Sequence, residues 1–567
     1  MKNEKKKIIL EEYSSDFEYK NSKTNLIISF NRASFILFVF FVISIIFSLK
    51  VIYLGFKDKN DNHIFSKKSN FRSTIVDRNK NIIAKSVLTT NIGIDPKLVS
   101  NKEKLLLNLR IIFPNKNFIE ISDKLNSNKF FYLEKKISSE KYEKVLLLGE
   151  KSIIEEQKIT RIYPQENLYS HILGQIDNDN NGLSGIEKSF DERLKKSNTN
   201  LVLTVDSNLQ YLIREQLILY NQIFESKGSA AILMNIKNGE VLSMVSLPDY
   251  DLNKRQQLSD DILINRSTKG VYELGSVFKT FTLAAALDEG VLKTDTVFQN
   301  LEKKIWCAGN PISEYDDEIP STLTSEEILI RSGNIGSVRI AQKLGIEKYK
   351  NFLNALGITK RIEFDIQEIG NPAKLQWGKC KLATTSFGHG ISTTLIQLAK
   401  AYAIISNGGL SINPTLIINR DNNSNNRILR KEVSDQMNNI LRKIVSTKEG
   451  TASFANIPGY EVGGKTGTAQ KVINGVYTNE KVNTFASIFP TSDPKFVLAI
   501  LLDEPRPNKE YVYNYKDGSG WKYKGNWRNT AGWTTVEVAG KIIEKIGPIL
   551  AINRIDFYDN HVVKKSY

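Results

Sequence analysis

The feature that most restricts how this chain can fold is one long apolar run near its N-terminus. Residues 33 to 49 are apolar apart from three serines, and after Lys50 the run resumes through Leu54. About 20 apolar residues in a helix are needed to span a bilayer, and a lysine near the end of such a helix can extend its amine to the headgroups. We therefore expect a transmembrane helix over residues 33–54, with residues 1–32 as a tail on one side and the chain after residue 55 on the other.

A cleaved signal peptide is the alternative interpretation of this run. The run and the leader before it are both too long for a signal peptide, and no small-x-small cleavage site follows. Lysines lie on both sides of the run, so the flanking charges do not decide its orientation. The composition favours a membrane protein with a large extracytoplasmic part.

Composition limits the rest of the chain to ordinary globular domains. The 567 residues are 41% hydrophobic and 25% charged, which allows two or three domains with buried cores. The net charge of +16 would suit nucleic acid or an acidic membrane surface. However, the lysines are scattered and form no arginine-rich or aromatic-interleaved stripe, so we expect no nucleic-acid partner.

Cysteine and histidine are too scarce to suggest several common site types. Cys307 and Cys380 are too few for a disulfide scaffold and have no metal-ligand spacing. An oxidising compartment would permit a bridge between them, although we favour unpaired cysteines. With four histidines and no G-x-S-x-G turn, a Ser-His-Asp hydrolase is disfavoured.

A serine and a lysine one helical turn apart form the first candidate site. Gly275 is suited to end a loop, and Ser276 would open a helix that continues through Leu287. Lys279 would then share a face with Ser276 at the positive end of the helix dipole, which places a base beside a nucleophile. The chain contains three other Ser-x-x-Lys matches, which begin at Ser138, Ser492 and Ser519. The pair alone therefore more often means a solvated lysine near a serine.

Two further motifs follow in order and make a catalytic role for Ser276 and Lys279 the favoured interpretation. They are Ser332-Gly333-Asn334 and Lys465-Thr466-Gly467-Thr468. Taken singly, Asn334 could cap a helix that begins near Ile335, and the second motif could be a strand-to-turn junction. Taken together with Ser276 and Lys279, they indicate an acyl-transfer site.

In this order the three motifs resemble those of class B penicillin-binding proteins, the peptidoglycan D,D-transpeptidases. The resemblance runs from the membrane anchor to about residue 550. Beyond the three motifs, it rests on Arg72–Asn79, Arg161–Pro164, Asp206 with Gln210, Asn265-Arg266, Phe387–Ile391, Asn407–Gly409, Gly450–Ala452 and Asp493-Pro494.

The resemblance implies an α+β fold with one N-terminal transmembrane helix. A penicillin-binding/β-lactamase-like transpeptidase domain, with an antiparallel sheet flanked by helices, would stand on a β-rich pedestal domain of the dimerisation type. The expected bounds are 55–225 for the pedestal, 226–550 for the transpeptidase domain and 551–567 for a C-terminal tail.

Two local patterns concern this scaffold. The apolar stretch 228–234, the polar turn Lys237–Glu240 and the apolar return 241–245 predict a β-hairpin at the start of the second domain. The patches around Arg72, Arg161 and 182–187 contain no nucleophile–base pair, so they predict turns and buried ion pairs.

The chemistry and the resemblance together assign five catalytic residues. Ser276 would attack the carbonyl between the two terminal D-alanines of a stem peptide and form an acyl-enzyme. Lys279 would accept the serine proton, with its pKa lowered by burial and by the neighbouring cation of Lys465. Ser332 would relay the proton to the leaving amine. Asn334 would hold a substrate amide.

The same reasoning assigns substrate binding to the third motif. Gly467 would let a substrate backbone lie along the strand edge, while Thr466 and Thr468 would bind the terminal carboxylate. The backbone N–H groups of Ser276 and Thr468 would form the oxyanion hole. A Ser/Lys mechanism requires no metal or cofactor.

Three residues depart from the family pattern. Ser73 stands where a glycine is usual, Lys80 replaces the glycine of an Asn-Gly turn, and Gly333 replaces a more common serine. The first two concern turn geometry in the pedestal, and the third concerns the orientation of Ser332.

The C-terminal region favours the division-specific (septal) type of enzyme over the elongation type. The resemblance lies in Leu502–Pro505 and in Thr530–Val536. The second segment leads into a helix that we expect over Ala539–Ile546 and that Gly547-Pro548 would end. It implies a bacterial inner-membrane protein at the septum, with its N-terminus in the cytoplasm and its catalytic domain in the periplasm. Its partners would be lipid II and peptidoglycan stem peptides, β-lactams, a septal glycosyltransferase and other membrane proteins of division.

Two other classes remain open. A β-lactam sensor or β-lactamase would share the motifs but would not need the pedestal, and a hydrolase needs a group that activates water. No Glu-x-x-Leu-Asn element lies between the second and third motifs, and the stretch Glu363–Glu368 does not match it. A non-catalytic division scaffold is the third class, and it would be favoured if Ser276, Lys279 or Lys465 were missing.

Overall fold

The structure, a computed structural model, describes residues 22–60, 71–254, 258–418, 423–473, 475–515, 520–525 and 528–562. The chain separates into two units, Met1–Asn70 and Phe71–Tyr567.

The strands, in chain order, are β1 Ile75–Val76, β2 Ile82–Ile94, β3 Phe131–Glu134, β4 Ile153–Ile162, β5 Leu201–Val202, β6 Gly228–Asn235, β7 Val241–Leu247, β8 Val297–Phe298, β9 Lys304–Cys307, β10 Asn310–Ser313, β11 Leu323–Thr324, β12 Leu410–Ile412, β13 Asn423–Arg427, β14 Gly463–Ile473, β15 Val476–Phe489, β16 Phe496–Asp503, β17 Val512–Asn514 and β18 Lys522–Lys524.

The helices are α1 Ser22–Asn60, α2 Lys102–Ile112, α3 Phe118–Asn126, α4 Ser139–Leu146, α5 Ser170–Leu173, α6 Gly185–Ser189, α7 Asp191–Lys196, α8 Ser207–Ile223, α9 Asp260–Leu263, α10 Phe278–Asp288, α11 Ser325–Ile330, α12 Asn334–Leu344, α13 Ile346–Ala355, α14 Lys379–Thr385, α15 Leu395–Ser406, α16 Lys431–Ser446 and α17 Thr535–Val562. Short 3-10 turns occupy Pro96–Leu98, Gly275–Val277, Ser453–Ala455 and Ala531–Trp533.

The first unit contains the long helix α1. Its segment Ser34–Tyr53 has a mean hydropathy of 2.8, and none of that segment is buried against protein. Within the described residues this is the one helix long and apolar enough to cross a membrane. The expectation of one N-terminal apolar helix is confirmed, and the bounds 33–54 of the membrane span stay a prediction.

The pedestal is built on a five-stranded sheet in the second unit. Strand β2 pairs with β3, β4 and β1, and β1 pairs in parallel with β5. Because β5 lies far downstream of β1, the chain leaves this sheet after β4 and returns to it at β5. Helices α2, α3 and α4 contribute Leu109, Leu125 and Val145 to a small separate core around Ile92 and Ile94.

A buried cluster of charges joins the predicted pedestal patches. The Glu187 carboxylate accepts one hydrogen bond from Arg72 Nε and one from Arg161 Nε, each at 2.8 Å, and the three side chains are at most 1% exposed. Arg72 also donates to Asp191 Oδ1 at 2.6 Å. The prediction of buried ion pairs is confirmed, and they connect β4 and the start of β1 to α6.

Ser73 and Lys80 are two of the three departures from the family pattern. Lys80 adopts φ 68°, the left-handed region that a glycine would occupy more easily, and its N–H donates to the Asp77 carbonyl at 3.0 Å. Ser73 donates a hydrogen bond from its hydroxyl to the carbonyl of Ser197. The turn that ends at Lys80 therefore forms without a glycine.

The second sheet has the strand order β14-β15-β16-β6-β7, and all its neighbours are antiparallel. The predicted hairpin is confirmed as β6 and β7, with Gly239 at φ +76° in the turn between them. Helices α8, α15 and α17 pack against the strands of this sheet. The expectation of an antiparallel sheet flanked by helices is confirmed.

Helix α8 lies at the expected boundary between the two domains. The side chain of Gln210 accepts hydrogen bonds from Ser243 Oγ at 2.7 Å and Met244 N at 2.9 Å, and it donates to the Met244 carbonyl at 3.0 Å. These contacts attach the helix to β7. The boundary at residue 225 stays a prediction.

The predicted end of the C-terminal helix at Gly547-Pro548 is wrong. Helix α17 begins at Thr535, contains Pro548 and continues to Val562. A Cβ at Gly547 would lie 2.2 Å from the ring of Tyr460. The glycine therefore serves close packing, and the sequence analysis mistook it for a terminator.

Candidate active site

Ser276 lies in a 3-10 turn, Gly275–Val277, that leads directly into α10. The serine was expected at the first helical residue, and its observed position agrees with that to within one turn. Gly275 has φ +62°, and a Cβ there would lie 2.6 Å from the carbonyl oxygen of Thr468. A glycine is needed at this position both for its backbone conformation and for the contact with β14.

Two more glycines allow the backbone to close around Ser276. A Cβ on Gly467 would lie 2.1 Å from the Leu274 carbonyl oxygen, and one on Gly388, at φ +84°, would lie 2.0 Å from that of Gly275. Gly467 was expected to make room for a substrate. In the structure it first makes room for the turn that carries Ser276.

Two lysines converge on the hydroxyl of Ser332. Lys465 Nζ donates to Ser332 Oγ at 2.8 Å, and Lys279 Nζ donates to the same oxygen at 3.2 Å. Lys279 also donates to the Ser332 carbonyl and, at 2.7 Å, to Asn334 Oδ1. A hydroxyl that accepts two hydrogen bonds keeps its own hydrogen for a third partner. Ser332 is therefore arranged to pass a proton between an amine and a group in the cavity.

Burial sets the charge of both lysines. Lys279 is 1% exposed and Lys465 is 0% exposed. Burial lowers the pKa of Lys279 to about 7, with the Glu314 carboxylate acting in the opposite direction. Burial, together with repulsion from Lys279, lowers the pKa of Lys465 well below its ordinary value. The expected effect of burial on Lys279 is confirmed, and the repulsion between the two amines is found at Lys465.

Lys279 is not hydrogen-bonded to Ser276. Among the described residues, its donors go to Ser332 and Asn334, while Ser276 faces the cavity one turn away. Hydrogen bonds between catalytic groups are often long without substrate and tighten in the complex. The structure thus brings the predicted nucleophile and base into one site without joining them.

A cavity of about 720 Å³ opens in front of these residues. Its lining includes the predicted site residues Ser276, Ser332, Asn334, Thr466 and Thr468. Strand β14 ends the strand order of its sheet, so within the described residues its outer edge is not paired with another strand. The cavity and this edge can together receive an extended peptide.

The two threonines of the third motif are held by neighbouring segments. Thr466 Oγ1 lies 2.8 Å from Thr451 Oγ1, and Thr468 Oγ1 accepts a hydrogen bond from Ala531 N at 3.0 Å. Both hydroxyl oxygens are thereby fixed at the cavity wall.

The fold and the site match known protein families over most of the chain. The penicillin-binding protein transpeptidase domain matches residues 229–519, and the penicillin-binding protein dimerisation domain matches residues 67–217. This chain belongs to the penicillin-binding protein transpeptidase family.

Individual relatives also match most of the chain. A peptidoglycan D,D-transpeptidase FtsI of Buchnera aphidicola is 30% identical over 492 residues, which is 78% of this chain and 84% of the relative. A probable peptidoglycan D,D-transpeptidase FtsI of Caulobacter vibrioides is 29% identical over 499 residues, with 85% and 82% covered. Penicillin-binding protein 3 of Mycobacterium tuberculosis, in complex with aztreonam, has a TM-score of 0.64 at 22% identity, with 84% of this chain and 96% of that chain covered. That last likeness shows the fold.

One expectation for this penicillin-binding protein is corrected by the structure. Cys307 and Cys380, which we expected to be unpaired, form a disulfide. The bridge connects β9 to α14 across 73 residues of sequence, so spacing along the chain could not reveal it. A second cavity of about 310 Å³ contains both cysteines together with Asn334 and His389.

Glu314 and His389 also lie at the site. Glu314, which the sequence analysis missed, accepts hydrogen bonds from the backbone N–H groups of Asn334 and Ile335. His389, quoted only as part of a family segment, lies at the cavity, and burial and the Lys279 charge lower its pKa. No motif marks Glu314, because it caps a helix that begins 20 residues later, beyond β11 and α11.

The described residues contain no group of three or more His, Cys, Asp and Glu that could hold a metal ion. That this family member needs no metal or organic cofactor stays a prediction from the Ser/Lys chemistry.

Proposed function

We propose that this chain is a peptidoglycan D,D-transpeptidase that crosslinks stem peptides through an acyl-enzyme on Ser276. The observation that carries the proposal is the convergence of two buried lysines on Ser332, at the wall of the cavity that Ser276 faces. Membership of the penicillin-binding family and the names of the Buchnera and Caulobacter relatives support the same reaction.

Acylation uses the low pKa of Lys279. With a pKa of about 7, a substantial fraction of the amine is neutral at neutral pH and can take the proton of Ser276. The serine oxygen then attacks the carbonyl between the two terminal D-alanines. An ester forms, the peptide C–N bond breaks, and Ser332 delivers a proton to the departing amine, so that D-alanine leaves.

The second half of the reaction repeats these roles in reverse. The amine of a neighbouring stem peptide attacks the ester carbonyl, loses a proton to the Lys279–Ser332 pair and forms the crosslink. Ser276 recovers its proton and is released. No metal is involved in any of these steps.

The backbone and the third motif bind the substrate. The backbone of Gly275, next to Ser276, lies close against the backbone of Thr468, which supports an oxyanion hole formed by the N–H groups of Ser276 and Thr468. Thr466 and Thr468 bind the terminal carboxylate, and the outer edge of β14 pairs with the peptide backbone. Asn334 turns its carboxamide to a substrate amide after giving up part of its contact with Lys279.

A fluorescent penicillin tests this assignment, because a β-lactam acylates the same serine. We expect a covalent band in membranes containing the wild-type chain, no band with Ser276→Ala, and persistence of the band through a chase of many minutes. Loss of label within seconds would indicate a β-lactamase. Absence of label in folded wild-type protein would support the scaffold class and refute the enzyme.

The more specific part of the proposal is that the enzyme is of the division type. The C-terminal segment 530–536 and the FtsI names of two relatives favour septal wall synthesis over elongation. The catalytic unit then lies in the periplasm, the N-terminal tail lies in the cytoplasm, and α1 contacts a septal glycosyltransferase that polymerises lipid II.

Depletion in the parent cell separates the two types. Loss of a division enzyme should give filaments with stalled septa, and a fluorescent fusion should collect at midcell. Rounded, swollen cells with septa intact would favour the elongation type. Protection of the catalytic unit from protease in intact spheroplasts would contradict the periplasmic orientation.

A further inference from the structure

Glu314 supplies the N-terminal cap of helix α12. Its carboxylate accepts the Asn334 N–H at 2.6 Å and the Ile335 N–H at 2.9 Å. Gly333, at the position that normally carries the capping side chain, has none to offer. A carboxylate at the positive end of a helix is favourable. The cap therefore comes from the segment that follows β10.

The residue before Glu314 fixes the side chain of Asn334. Asn334 Nδ2 donates to the Ser313 carbonyl at 2.8 Å, and Asn334 Oδ1 accepts from Lys279 Nζ at 2.7 Å. An amide that donates through its nitrogen to Ser313 must turn its oxygen toward the other side. Ser313 and Glu314 together thus hold both the backbone and the carboxamide of Asn334, and Asn334 in turn holds the base.

Glu314 is also the carboxylate whose charge acts on Lys279. Lys465, on β14, lies on the other side of the Ser332 hydroxyl from Lys279. His389, in the segment after α14, interacts electrostatically with the charge of Lys279. Tyr315 and Asp316 continue the Glu314 segment at the cavity wall. Among the described residues, the titratable groups from other elements that interact with Lys279 are thus the amine of Lys465 and the imidazole of His389.

We propose that Glu314 is a positioning residue of this active site, which presents Lys279 to Ser332 through Asn334 and balances the charge of the Lys279 amine. The inference rests on the roles of Ser276 and Lys279 proposed above. Glu314 touches neither substrate nor the reacting atoms, so its effect must appear in the behaviour of Lys279.

Glu314→Gln tests the inference with little change in size. A glutamine can accept one of the two N–H groups, but its amide nitrogen then faces the other, and the negative charge is gone. We expect the maximal rate of acylation by a chromogenic cephalosporin to fall about tenfold, the size of effect expected for a misplaced catalytic group. We also expect the acid limb of the rate–pH profile to move to lower pH by about half a unit or more, because the Lys279 amine loses its counter-charge.

Two further variants serve as controls. Glu318→Gln removes the same charge from an exposed position four residues along the segment, and it should leave rate and acid limb unchanged. Glu314→Asp keeps the charge on a shorter side chain, so the limb should return toward the wild-type position while the maximal rate stays reduced. This variant also provides the test if Glu314→Gln does not fold.

The outcomes separate this inference from the proposed function. An acid limb that stays in place in Glu314→Gln, whether or not the rate falls, would reduce Glu314 to a helix cap and overturn the inference. An acid limb that moves equally in Glu318→Gln would also overturn the inference, since the shift would then follow from the loss of any negative charge in this segment. Failure of wild-type Ser276 to become labelled would instead refute the proposed function itself.

Discussion

Lys279 is the residue at which burial has the clearest chemical consequence. Its pKa falls from 10.5 to about 7, mainly because the charged form is desolvated. The amine must be neutral to take the proton of Ser276. Acylation should therefore rise with pH through about 7 and level off above it, with a loss of about tenfold per unit well below. Second-order acylation rates measured with a chromogenic cephalosporin from about pH 5.5 to about pH 9, on both sides of that pKa, provide the check.

Lys279→Arg is the matched variant for that profile, because a guanidinium stays charged throughout the range. Its acylation rate should be lower by about 10²-fold or more at every pH. A wild-type profile that keeps rising to pH 9 and beyond would mean that Lys279 keeps an ordinary pKa and that burial does not prepare it as a base.

Two glycines of the site differ sharply in what a side chain would meet. A Cβ at Gly467 would lie 2.1 Å from the Leu274 carbonyl, whereas a Cβ at Gly333 would come no closer than 3.7 Å to Glu314 Oε1. Gly467→Ala should therefore displace the Ser276 turn, cost about 1–3 kcal/mol and abolish penicillin labelling. Gly333→Ala should change the melting temperature and the labelling rate little. Thermal melts and penicillin-labelling rates should be measured for both variants. Equal effects of the two substitutions would contradict the packing described for Gly467.

A site residue could be predicted from the sequence where it belongs to a local motif. Ser276, Lys279, Ser332, Asn334 and Lys465 were all expected, and the structure brings them to one cavity or to its wall. Glu314 was missed and the Cys307–Cys380 bridge was disfavoured, because both depend on distances across the fold. A capping carboxylate 20 residues upstream and a bridge over 73 residues leave no periodic signal in the sequence.

At the scale of elements, the ion cluster around Glu187 joins parts of the pedestal that are far apart in sequence. Its carboxylate is fully buried and is shared by Arg72 and Arg161. Removing one member of such a cluster leaves uncompensated buried charge, which typically costs about 3–5 kcal/mol. Glu187→Gln should therefore lower the free energy of unfolding by an amount of that order, as measured by urea denaturation. Glu192→Gln, which breaks an exposed pair with Lys196, should stay within about 1 kcal/mol of wild type.

Hairpins and helix ends were not equally predictable. The β6–β7 hairpin was correct because two apolar stretches separated by a polar Asn-Gly turn decide it locally. The end of α17 was wrong because a Gly-Pro pair has two meanings. Gly547 packs against Tyr460, and the helix continues through Pro548. A glycine needed for contact cannot be told from a glycine needed to end a helix until the partner is known.

For the whole molecule, the fold class followed from the ordered motifs and from the resemblance they support. The two domains share much of one hydrophobic core, in which Ile75 and Leu203 join the cluster that contains Leu233 and Phe281. Composition alone would not have indicated this continuity, since it reports only how much apolar surface is available. It also explains why a boundary near residue 225 is hard to place from sequence: the apolar packing does not stop there.

The separation of the chain into Met1–Asn70 and Phe71–Tyr567 leads to the last prediction. The segment Ser34–Tyr53 buries none of its apolar surface against protein, whereas the second unit contains both hydrophobic cores. A chain that begins at Phe71 should therefore be soluble without detergent and should label with fluorescent penicillin at a rate within about twofold of the full-length protein, since the site lies wholly in the second unit. Fractionation by ultracentrifugation and parallel labelling of the two chains provide the measurement, with Ser276→Ala in the short chain as the blank. A short chain that is folded and soluble but labels more than about tenfold more slowly would mean that residues 1–70 contribute to the active site.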